Sequence, residues 1–112
     1  MAKADSLHGT LDLLVLKVLS RGIPLTGYAI SQEIKKQEIR KDPLERLTVW
    51  NGSLYPALDR MEAADWISSR KGSDHRATWL WQITEEGTAQ FGRMKTDWLA
   101  FRSAVDRFLR RR

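Results

Sequence analysis

The chain has 112 residues, enough for one domain with a single appended element and too few for two independent cores. Nineteen Lys and Arg against 14 Asp and Glu leave a formal net charge of +5, which favours a polyanionic partner without identifying one. There is no cysteine, which excludes disulfides, thiolate catalysis and zinc fingers and makes a reducing cytoplasm the natural compartment. The opening Met1-Ala2-Lys3-Ala4-Asp5-Ser6 lacks the layout of a signal peptide, and no apolar run approaches the roughly 20 residues of a membrane span. No membrane partner and no cofactor are expected.

The first predicted helix runs from about Leu7 to Ser20. Leu7, Leu11, Leu13, Leu14, Val15, Leu16, Val18 and Leu19 surround most of its circumference, so it must be covered on more than one side. Arg21-Gly22-Ile23-Pro24 ends it with a flexible residue and then one that cannot continue a helix. The second helix opens at Thr26 as N-cap, with Leu25 and Ile30 placed as a hydrophobic staple and Ile30 and Ile34 as its core stripe. Gly27 in its first turn permits close approach of another backbone. Tyr28 beside it either caps the core or stands exposed, where its hydroxyl and the nearby amides suit a phosphate.

Residues 39 to 50, with Asp42-Pro43 and many charges, read as a connection. A third helix follows from Asn51 or Ser53. Pro56 has no amide hydrogen, which favours Ser53 as N-cap and Pro56 in the first turn. Leu54, Leu58 and Met61 then share one face, while Pro56, Asp59, Arg60 and Ala63 occupy the other and Ser53 and Tyr55 the leading end. Small and polar groups at a leading end let a backbone approach base edges closely, although many amphipathic helices only pack.

Trp66-Ile67-Ser68-Ser69-Arg70 and Ala77 to Ile83 alternate as strands do, with residues 71 to 76 as the turn between them. Arg70, Lys71, His75 and Arg76 decorate this hairpin, which is either an ordinary solvated loop or a contact to a groove and its phosphates. His75 by itself defines no site. Thr84-Glu85-Glu86 caps a last helix carrying Phe91, Met94, Trp98, Phe101, Val105 and Phe108, spaced 3, 4, 3, 4 and 3. That is a heptad seam. At about 1.5 Å per residue the helix outruns the domain it leaves, so a second copy of the chain is the simplest partner, with Leu11 and Leu14 of the first helix completing the interface; the alternative, a helix folded back on its own domain, leaves a large apolar patch exposed.

The blocks Gly9 to Leu16, Gly27-Tyr28-Ala29-Ile30, Gly52-Ser53-Leu54-Tyr55-Pro56-Ala57-Leu58, Arg60-Met61-Glu62, Trp66-Ile67 and Ile83 to Gly87 resemble the PadR family of bacterial transcriptional regulators over nearly the whole chain. The single C-terminal helix looks like the smaller subfamily. The resemblance implies a mainly α fold with a small β-hairpin: a winged helix-turn-helix DNA-binding domain over residues 1–84 and a dimerisation helix over residues 85–112. It implies a cytoplasmic homodimeric repressor that binds a double-stranded DNA operator with two-fold symmetry and is released by a small aromatic effector. Carried over by position, Tyr28, Ser53, Tyr55 and Pro56 belong to the DNA-contacting surface and Arg70, Lys71 and Arg76 to the wing; Arg60, on the exposed face of the third helix, is a further DNA-binding candidate. Trp98 matches a tryptophan that lines a flat-ligand pocket in multidrug-responsive members, with Phe101 beside it, while its heptad position alone makes it interface core. Asp65 stands where relatives have glycine, and a left-handed backbone there costs roughly 1 kcal/mol. Trp79 and Trp81 fill a strand that is more basic in relatives.

A winged-helix dimer acting mainly as a protein-interaction module is the alternative reading. An enzyme is not expected: His8 and His75 lie on different elements, and no carboxylate pair or glycine-rich phosphate loop stands out.

Overall fold

The computed structural model describes residues 2–38, 51–73 and 78–111, in the order α1 (Ala2–Leu19), α2 (Gly27–Glu38), α3 (Asn51–Ala63), β1 (Ile67–Lys71), β2 (Trp79–Ile83) and α4 (Glu85–Arg110). The predicted connection at residues 39 to 50 lies outside the described residues. The fold is mainly helical, with one hairpin and a long last helix.

Apolar periodicity decides how the helices pack. Val15, Leu16 and Leu19 of α1, Ile30 and Ile34 of α2, and Leu54, Leu58 and Met61 of α3 form one buried cluster, closed on the sheet side by Ile67 and Trp81. The i, i+4, i+7 stripe of α3 is completely buried, as its spacing predicts. α1 lies at the centre, touching α2, α3, α4 and β2. That explains an apolar surface running nearly all round it. Leu11, Leu14 and Val18 add a half-buried second layer against the same core.

Each chain reversal uses the chemistry its residues supply. Gly22 takes φ +83° after α1, a left-handed conformation open to glycine at little cost. Thr26 caps α2 by accepting the Ala29 amide at 3.0 Å on its hydroxyl. Leu25 just before it exchanges both backbone hydrogen bonds with Trp81, at 2.9 and 2.7 Å, and so adds a one-residue third strand to the hairpin. α3 begins at Asn51, not at a Ser53 N-cap, so Pro56 lies inside the helix. Pro56 forgoes the bond to the Gly52 carbonyl, a loss confined to the opening turns of α3.

The end of α3 is a Schellman turn: the Trp66 amide donates to Met61 O at 3.0 Å and the Asp65 amide to Glu62 O at 2.9 Å. Asp65 takes φ +70° at its left-handed position. The two strands pair antiparallel in the register Ile67 with Ile83, Ser69 with Trp81 and Lys71 with Trp79. Lys71 is therefore a strand residue and not part of the turn.

α4 is anchored through Thr84. Its hydroxyl accepts the Gly87 amide at 2.9 Å and donates to the carbonyl of Asp65, 2.7 Å away, with Trp66 O at 3.0 Å. A side chain at Gly87 would run into the Trp66 carbonyl, so this position admits only glycine without rearrangement. Phe91 and Met94 pack on the domain core, which holds the first turns of α4 against it. The helix then extends beyond it, in a molecule measuring 61 × 30 × 26 Å. Among the described residues, no helix is long and apolar enough to cross a membrane.

Candidate nucleic-acid interface

α2, α3 and the hairpin converge on one open groove of about 800 Å³. Tyr28 enters it from the first turn of α2, Tyr55, Asp59 and Glu62 from the exposed face of α3, and Ser69, Trp79 and Trp81 from the sheet. Tyr28 is 69% exposed, which excludes the core-capping alternative. Tyr55 lies over Gly27: a methyl group there would come 2.7 Å from both Cε1 and Cζ of the phenol ring. The close approach that glycine allows is thus to a side chain of α3 and not to a second backbone. One missing Cβ fixes how the two exposed tyrosines sit beside each other.

Register explains the hairpin's contribution. Side chains alternate across a sheet, so Lys71, Trp79, Ser69 and Trp81 share the face turned toward α3, while Arg70 and Leu80 point from the other face. The Lys71 ammonium stands 5.8 Å from the centroid of the exposed Trp79 ring. A cation on the face of a tryptophan is held by the ring quadrupole, so Trp79 supports the lysine at the groove's edge. Arg70 and Lys71 present charge on opposite sides of one narrow ribbon.

The expected site residues separate into three groups. Tyr28, Tyr55, Pro56, Arg70 and Lys71 are exposed around the groove and the hairpin. Arg60 is directed elsewhere: its Nη2 donates to Oδ1 of Asp12 on α1 at 2.6 Å, and the Asp12 side chain is only 8% exposed. Its guanidinium ties α3 to α1, a contact between helices that the sequence reading does not include. Arg76 and His75, and the side chain of Ser53, lie outside the described residues.

Sequence reading also missed part of the groove. Trp79, Asp59, Glu62 and Ser69 line it, with Ser69 donating to Glu62 at 2.8 Å. The signal available was the strand register, which puts Trp79 opposite Lys71 once the turn length is known. On α4, Phe91 and Met94 are partly buried by the chain's own core, whereas Trp98, Phe101, Val105 and Phe108 are exposed at 40, 67, 37 and 69%. Among the described residues, no group of His, Asp and Glu could hold a metal ion.

Three helices closed by a two-stranded ribbon, with the third helix and the ribbon flanking one groove, define a winged helix-turn-helix protein. The model of the transcriptional regulator PadR-like family matches residues 15–93, and the chain belongs to that family. Its members are regulators of transcription that bind DNA, not enzymes. A transcriptional regulator from Clostridium thermocellum is similar in fold, with 24% identity, a TM-score of 0.81, and 95% of this chain and 99% of that one covered. A PadR-like regulator from Bacillus cereus has 24% identity and a TM-score of 0.75 over 96% and 99% of the two chains. A PadR family regulator from Eggerthella lenta has 21% identity and a TM-score of 0.79 over 97% and 89%. No curated protein sequence matches the chain.

Proposed function

We propose that this regulator is a cytoplasmic homodimeric repressor that reads a two-fold symmetric double-stranded DNA operator. The observation that carries the reading is the meeting of Tyr28, Tyr55 and the Lys71–Trp79 pair around one groove, from three different elements. α3 enters the major groove with Tyr55 and Pro56 leading, and Ser53 completes its leading end. Tyr28 and the α2 N-terminus meet the phosphates, and Arg70 and Lys71, with Arg76, straddle the backbone or minor groove beyond. Residues 1–84 do the reading and residues 85–112 set the distance between two readers.

The second copy is supported by the exposed seam of Trp98, Phe101, Val105 and Phe108, an apolar stripe that a monomer leaves in water. Leu11 and Leu14 lie half-buried on α1, beside the α4 packing. Between the copies, Trp98 and Phe101 supply flat aromatic surface to a small effector whose binding releases the operator.

Selection of duplexes from genomic fragments at low salt tests the DNA reading. It should yield a palindromic site near the gene itself, bound with a steep salt dependence. Lys71→Ala with Arg76→Ala should weaken duplex binding, whereas a protein-interaction module would be indifferent to that change. The effector reading rests on fluorescence: planar aromatics should quench Trp98, and the quenching should fall in Trp98→Phe. Four other tryptophans make that variant the necessary control, and identical quenching in both proteins would remove the pocket.

A further inference from the structure

We infer that Asp59 is the base-reading residue of α3 and that it selects a cytosine at one fixed position of each half-site. The inference rests on α3 entering the major groove. Asp59 lies one turn beyond Tyr55 on the same exposed face of α3 and lines the same groove. It makes no hydrogen bond, ion pair or ring contact with the rest of the protein among the described residues. The other carboxylate of the groove, Glu62, already accepts the Ser69 hydroxyl. One charged acceptor is therefore left open on the face offered to DNA.

An open carboxylate in that place opposes binding unless it finds a donor. Phosphates repel it, and a protein of net charge +5 gains nothing electrostatically by putting an acid against the backbone. The major groove offers two amino donors, adenine N6 and cytosine N4. Adenine sets the N7 lone pair beside its amino group, where it meets a carboxylate unfavourably. Cytosine carries only a C–H beside its own. An acceptor-only side chain therefore favours cytosine, and the same charge penalises sequences lacking it.

The test compares wild type with Asp59→Ala, an exposed substitution in a helix that alanine favours. Selection of random duplexes with the full-length wild type should enrich cytosine at one position of each half-site, and selection with the variant should lose that preference alone. Replacing that cytosine by 2-pyrimidinone, which lacks the amino group, should weaken wild-type binding about tenfold per half-site and leave the variant unaffected. The variant should bind unrelated duplex at least as tightly as wild type. Adenine at the position, an unchanged consensus in the variant, or equal loss in both proteins on base replacement would overturn the assignment to Asp59. A wild type that enriches no duplex would remove the DNA reading as well, so the two failures are told apart.

Discussion

Two positions show how closely single residues are tied to backbone geometry. Asp65 holds φ +70° at the C′ position of α3, and its carbonyl accepts the Thr84 hydroxyl that caps α4. The Asp65 side chain is exposed, so the strain falls on its Cβ and not on a lost contact. Asp65→Gly should raise stability by about 0.5–1 kcal/mol, the relief of a left-handed side-chain clash less the added freedom of the unfolded chain. An increased urea midpoint at unchanged slope is the expected result, and no increase would mean the carboxylate contributes something the geometry does not reveal. Gly87 is the opposite case. A Cβ there overlaps the Trp66 carbonyl, a backbone atom that cannot swing aside, whereas one at Gly92 meets nothing within 4 Å. Gly87→Ala should cost about 1–3 kcal/mol or more, while Gly92→Ala in the same helix should gain up to about 1 kcal/mol, so thermal melting of the pair separates packing from helix propensity.

At the scale of elements, the clasp between α1 and α3 is the clearest case of a residue whose role changes on folding. Asp12 is nearly buried, and Arg60 donates to it at 2.6 Å from a side chain that is 43% exposed. Arg60→Ala should lower stability by about 1–3 kcal/mol, discounted from a fully buried pair because the guanidinium remains partly in water. Asp12→Asn with Arg60→Ala should recover part of the loss, a coupling that a residue acting only on DNA would not show in urea titrations without DNA. The apolar stripes of α2 and α3, the Thr26 and Thr84 caps, the hairpin and the long last helix were all legible in the sequence, because each is written in local periodicity or capping chemistry. What was not legible depends on three-dimensional partners. Arg60 and Arg70 look alike in sequence, and only the packing of α1 against α3 turns one of them inward. Pro56, through its missing amide alone, points to a later helix start, whereas the helix also takes in Asn51 and Gly52 upstream. Trp79 reads in sequence as one residue of an alternating strand, while its place beside Lys71 needs the strand register.

The whole molecule is an unequal object, a small domain with a helix whose far half carries exposed apolar side chains. Phe91 and Met94 are covered by the core, and from Trp98 onward the seam is exposed, with Leu99 and Leu109 widening the apolar stripe. On the proposed dimer the same heptad has two tasks, holding α4 to its domain at one end and a second copy at the other. Because Phe101 and Phe108 lie outside the core cluster, replacing both with Asp should leave the winged domain folded while dividing the dimer. Sedimentation should then report a monomer, with far-ultraviolet dichroism largely retained. Two linked readers gain about 10²–10⁴ over either alone when the spacing fits, so the variant should bind the full operator about a hundredfold or more weakly. It should also show roughly half the dependence of log affinity on log salt, since each copy neutralises its own set of phosphates. A double variant that sediments as a dimer would move the interface away from the α4 seam, and a monomer with undiminished operator affinity would mean that one copy reads the site alone.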